Sequence, residues 1–118
     1  MTMKNIEHSK ILELKDQVSY LPGQIVSRTL AQNQSVSITL FAFAKGEEIS
    51  THESGGDALV TILDGAGCIT IEGKEFTLKE GGSILMPANR PHSVSAPDQP
   101  FKMMLTVVFP KKTITMDI

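Results

Sequence analysis

Cysteine, tryptophan and clustered charge are what this chain lacks. One cysteine, Cys68, among 118 residues cannot close an intrachain disulfide, and no Cys pair exists for a zinc knuckle or a thioredoxin-type redox motif. Histidine is scarce as well, with only His8, His52 and His92. The 11 Lys and Arg nearly balance 13 Asp and Glu, and no basic cluster exceeds Lys111-Lys112. The electrostatic footprint of a nucleic-acid binder is therefore missing. The longest apolar runs, around Val36–Ala44 and Met103–Phe109, fall far below the ~18 residues of a membrane helix. The first residues, Met1-Thr2-Met3-Lys4-Asn5-Ile6-Glu7, are too polar for a signal peptide. There is no Gly-x-Ser-x-Gly elbow, no phosphate-cradling glycine loop and no His-Glu-x-x-His pair. These absences predict a soluble, reduced, cytoplasmic domain with neither a nucleic-acid nor a membrane partner. At this length, folding buries roughly two-thirds of the unfolded surface, so the core needs no staple.

What is present is a succession of short β-prone runs. Ser35–Ala44 is one, and Ala58–Leu63 is a second, closed by Asp64-Gly65. Cys68–Glu72 and Glu75–Leu78 flank Gly73-Lys74, a strong hairpin signal. Ser83–Met86 ends at Pro87, and His92–Ser95 and Phe101–Phe109 flank the turn-prone Ala96-Pro97-Asp98-Gln99-Pro100. Turn signals recur about every 8–12 residues from residue 45 onward, the pattern of an all-β sandwich or barrel. Ile6–Gln17 reads as helix or strand with equal weight. Leu21–Leu30 reads as a strand with no evident partner in its own barrel. An unpaired edge needs covering, so it predicts a homodimer. The expected organisation is an N-terminal arm with extra strands over residues 1–30, a barrel over 31–112 and a C-terminal tail over 113–118.

His8 lies among Glu7, Ser9 and Lys10 and reads as a solvated surface residue. His52 and His92 stand in patterned surroundings. Gly46 lies six residues before His52, and Gly65 closes the following run. Gly81 and Pro87 precede His92. With these anchors the chain resembles the cupin superfamily, whose two motifs flank a short hairpin. The resemblance covers Gly46 to Ala96 and implies a double-stranded β-helix, or jelly-roll, barrel. The glycines sit at expected strand corners, where positive φ costs only glycine little. Pro87 pre-sets a turn. Side chains two apart on a barrel strand share a face, so His52 and His92 are expected to converge in the lumen.

The departures from the family pattern are as informative. Metal-binding members hold one divalent ion with three His and a Glu. Ser54 stands at the second His position, Ala58 at the Glu position and Ala96 at a late Asn position. Asn89 replaces a motif glycine, and asparagine tolerates the left-handed conformation. Two imidazoles, His52 and His92, remain of four ligands. Catalytic sites use three protein ligands plus an open position. The chain is thus expected to carry either no metal or a weakly held Fe, Mn, Ni or Zn. Asp57 is the candidate third ligand, swung inward by Gly55-Gly56, although its strand parity relative to His52 is wrong, as is that of Glu53.

The lumen itself reads as a mostly apolar small-molecule pocket with a few polar points. Its expected lining is Phe43, His52, Ser54, Ala58, Val60, Met86 and His92, with Met104 taken from the Met103-Met104 pair. The expected ligand is a small organic acid or sugar-like molecule. The alternative is a metal-dependent oxygenase or isomerase using His52, His92 and Asp57. Cys68, with no basic neighbour to depress its pKa, reads as a buried structural residue, and Arg90 as a solvated loop residue.

Overall fold

A computed structural model of the protein describes residues 2–111; the expected tail, 113–118, lies outside them. Among the described residues, eight strands follow one another. They are β1 (Ile25–Gln32), β2 (Val36–Phe43), β3 (Glu48–His52), β4 (Asp57–Ile71), β5 (Lys74–Lys79), β6 (Ser83–Met86), β7 (His92–Ser95) and β8 (Phe101–Val108). All pairings are antiparallel. One sheet runs β1-β2-β8-β4-β6 and the other β3-β7-β4-β5, so the two share β4 and curl into a jelly-roll barrel.

Strand β4 is the corner of the barrel. Its first half pairs with β6 and β8 and its second with β5 and β7, with a register shift between Ile62 and Asp64. The sequence placed a turn at Asp64-Gly65; the structure instead carries one 15-residue strand through it. Gly65 makes that possible. Its φ is +71°, and a Cβ there would sit 2.5 Å from the Pro100 carbonyl oxygen, so only glycine lets the strand bend this close to β8. The hairpin between β4 and β5 follows the expected positions. Ile71 faces Lys74 across Glu72-Gly73, both at positive φ, as a type I′ turn requires.

Alternation sorts the side chains onto two faces. On β8, Phe101, Met103, Leu105 and Val107 face the barrel interior with Phe43, Ala58, Val60, Ile62, Ile69, Met86 and Val94. Phe43 and Phe101 stack at 4.7 Å, a contact worth about 1 kcal/mol beyond the area it buries. Leu40 and Ala42 point the other way, into a second cluster with Leu30 and Val18. Residues 2–24 supply part of that outer layer, through Ile6, Val18 and Tyr20. They are irregular except for a 3-10 turn over Leu14–Gln17, so neither the helix nor the strand reading of Ile6–Gln17 holds. They are pinned by Lys4 N–H donating to Leu30 O (2.8 Å) and Tyr20 Oη to Asp64 Oδ2 (2.6 Å).

Two further expectations are corrected. The strand foreseen without a partner pairs with β2 over Ile25–Gln32 within its own chain, so an unpaired N-terminal strand no longer argues for a dimer. Cys68 is half-buried rather than buried. It alternates with the fully buried Ile69, so it lies on the opposite face of β4. Among the described residues, no helix is long and apolar enough to cross a membrane.

Candidate functional site

His52 ends β3 and His92 begins β7, and the two are cross-strand partners. Their rings lie 4.4 Å apart at 70°, with Nε2 to Nε2 at 3.2 Å. His92 is 3 % exposed, whereas His52 stands at the open rim. Each ring is anchored from behind. His52 Nδ1 lies 2.8 Å from Ser50 O, and His92 Nδ1 lies 3.1 Å from Arg90 O. A carbonyl oxygen only accepts, so both Nδ1 atoms carry protons. The two Nε2 atoms face each other within hydrogen-bond distance; in neutral rings with Nδ1 protonated both carry lone pairs, and a proton shared between them makes one the donor and the other the acceptor. Burial pushes the His92 pKa below its usual value, and the charge His52 would carry pushes it the same way. The Arg90 carbonyl and the Glu53 carboxylate oppose that shift.

The pair closes one end of a cavity of about 250 Å³ between the sheets. Its walls are Ile49, Ala58, Met86, Val94, Met103, Leu105 and Val107, and its polar end carries His52, Glu53, Ser54 and His92. Of the residues expected to line the lumen, His52, Ser54, Ala58, Met86 and His92 meet there. Val60 and Phe43 lie in the same interior cluster, but off this cavity; Phe43 is occupied by its stack on Phe101. Met104 belongs to the outer cluster under the N-terminal arm. Strand parity decides the matter: β8 presents Met103 inward, so its neighbour Met104 points out.

Glu53 is the residue that strand parity misplaced. Strand β3 stops at His52, so alternation no longer governs the next side chain, and Glu53 turns toward the lumen beside Ser54. Asp57 does the opposite. Its Oδ1 accepts a hydrogen bond from the Ala88 amide at 2.9 Å, which ties the start of β4 to the β6–β7 turn. That turn is further held by Asn89 N–H to Ser54 O (2.8 Å), with Asn89 at φ +61°, the left-handed conformation its type tolerates. Arg90 reaches out to Glu72 (3.6 Å), and both side chains are more than half exposed.

The fold implies a divalent metal, and the donor set decides whether these residues suit one. The 3.2 Å imidazole spacing is close to the ~3.3 Å that two nitrogens ~2.05 Å from one tetrahedral ion would keep. The rest of the set does not fit. Ser54 and the buried Ala58 occupy the neighbouring wall. Among the described residues, no group of three His, Cys, Asp or Glu could hold a metal ion. A larger, open cleft of about 860 Å³ beside Ser35, Gly55 and Phe109 has, among the described residues, no His, Asp or Glu in its lining.

The sequence signature of the cupin domain matches residues 39–109. A conserved protein of unknown function from Streptococcus pyogenes is 45 % identical and superposes with a TM-score of 0.91, covering 95 % of this chain and 97 % of its own. A cupin-superfamily protein from Desulfitobacterium hafniense is 32 % identical, with a TM-score of 0.87 over 93 % of this chain and all of that one. A cupin 2 conserved barrel domain protein from Leptotrichia buccalis is 43 % identical over 82 % of this chain, with a TM-score of 0.81, and this chain spans 47 % of its length. DMSP lyases share the fold at 20 % identity. No curated protein matches this chain. With the motif anchors, the shared β4 and the matched barrel in agreement, the chain belongs to the cupin family.

Proposed function

We propose that this cupin binds a small molecule in its lumen without a complete metal centre. The observation that carries this reading is the cavity itself. Apolar walls lead to two imidazoles whose Nε2 atoms face each other at 3.2 Å. An apolar pocket with a few convergent polar groups is the usual make-up of a ligand site. The account is tested by melting the protein against a set of metabolites. At ~100-fold excess over its dissociation constant, a ligand adds roughly 2.7 kcal/mol of stability. The shift should vanish in Ala58→Leu, which fills the lumen. A shift that survives the filling, or no shift with any compound, contradicts the reading.

The second reading is a metal-dependent oxygenase or isomerase, and the cis spacing of the two imidazoles favours it. The Asp57 carboxylate held at the Ala88 amide speaks against the third ligand that such chemistry needs.

For assembly we propose a homodimer. Its support is now the outer face of the larger sheet, where Leu59 and Leu85 are cross-strand partners and both exposed. Adjoining exposed leucines offer apolar area that a second copy would bury. Light scattering at micromolar concentration should give twice the chain mass, and Leu59→Lys with Leu85→Lys should return it to the chain mass. A monomeric parent protein contradicts the proposal.

A further inference from the structure

The polar end of the lumen is built almost entirely of acceptors. His52 and His92 each commit the Nδ1 proton to a backbone carbonyl, which leaves two Nε2 lone pairs 3.2 Å apart. Two facing lone pairs repel unless one nitrogen takes up a proton and donates it to the other, or a donor group beside the pair bridges both. Glu53 lines the same end, and its charge acts on His92. Ser54 adds a hydroxyl whose oxygen already accepts from the Gly56 amide (3.3 Å). Among the described residues no Lys or Arg lines the cavity, and Arg90 is turned outward to Glu72.

We infer that the lumen takes a compact primary amine, its ammonium group seated between His52 Nε2, His92 Nε2 and the Glu53 carboxylate, and its apolar body lying against Met86, Met103 and Leu105. An ammonium supplies three donors and no acceptor, which matches three acceptors at one end of an apolar cavity. A carboxylate would bring a second negative charge beside Glu53 and no proton for either imidazole. A sugar would bury hydroxyls against walls with no partner for them. Size gives a second limit. The cavity of about 250 Å³ equals roughly eight water volumes at ~30 Å³ each, room for a body the size of one six-membered ring. The inference rests on the lumen being the ligand site, and it differs from the organic acid or sugar-like ligand expected from sequence.

Four compounds of similar shape separate the possibilities: cyclohexylmethylamine, cyclohexylmethanol, cyclohexanecarboxylate and methylcyclohexane. They are titrated by calorimetry into chelator-treated protein at about pH 8, above the ~6.5 of an unperturbed imidazole. The amine should bind about tenfold tighter than the alcohol, equivalent to ~1.4 kcal/mol, and the carboxylate weakest of the polar three. Glu53→Gln, at an exposed position that leaves the fold intact, should remove most of the amine's advantage. A carboxylate that binds as well as the amine overturns the inference, as does an unchanged preference in Glu53→Gln. If the alcohol and hydrocarbon bind and the amine binds no better, the lumen reading stands and the ligand class falls. If none of the four binds, both fall.

Discussion

Ala58 is 1 % exposed and Ser54 half-buried, and both share a cavity with His52 and His92. If those two side chains alone separate this lumen from a metal centre, restoring the family's ligand types should create one. The double variant Ser54→His, Ala58→Glu should hold about one equivalent of divalent metal per chain, since it reaches the number of protein ligands a bound ion needs. Elemental analysis after desalting checks this, and a metal-free double variant would show that the backbone has moved away from the ligand geometry. Ala58→Glu alone should melt well below the parent, losing ~2–4 kcal/mol because it buries an unpaired carboxylate. The His92 pKa is lowered in the folded state by burial and by His52. The unfolded chain therefore binds a proton more readily in the window below the usual imidazole value. Stability is then lost as pH falls from the unfolded value of ~6.5 toward the folded one. The melting temperature should drop across that window, and the drop should shrink in His92→Gln. An identical slope in both proteins contradicts the assignment.

At the scale of elements, the corner in β4 and the arm over the larger sheet set the barrel's shape. Gly65→Ala would place a Cβ against the Pro100 carbonyl in a left-handed backbone. Its cost should reach about 2 kcal/mol or more, since strain and overpacking add. A urea midpoint unchanged by the substitution would show that the corner is not held by this approach. Tyr20→Phe, which deletes the 2.6 Å bond to Asp64, should cost about 1 kcal/mol by the same measurement. These two elements were also the least legible in the sequence. Asp64-Gly65 has the composition of a turn, and composition does not distinguish a reversal from a bend inside a strand that changes sheets. The arm has no periodicity because backbone pairing holds little of it; its buried residue, Val18, works singly against Leu30 and Leu40. Most of the other strands, the hairpin turn to within one residue and the His52/His92 anchors were legible, because alternation, turn chemistry and spacing are local; the short, largely exposed β3 (Glu48–His52) was not. Glu53 was not, since where a strand stops decides whether parity applies. Nor was the choice of Met103 over Met104, which depends on the register of β8 against β4.

For the molecule as a whole, the barrel keeps the family's fold while its lumen keeps only two imidazoles of the ligand set. The N-terminal arm packs on one face of the larger sheet, whereas Leu59 and Leu85 of that sheet stay exposed. The proposed binding site is the cavity end where the two histidines meet, and the central claim is that this end receives a small molecule rather than a resident metal. Metal content decides it most directly. Untagged protein is incubated with iron, manganese, nickel and zinc, desalted and measured by elemental analysis. The account predicts no more than about a tenth of an equivalent of any metal per chain, because two imidazoles fall short of the three ligands a retained ion needs. About one equivalent per chain, lost in His52→Ala and in His92→Ala, would contradict it.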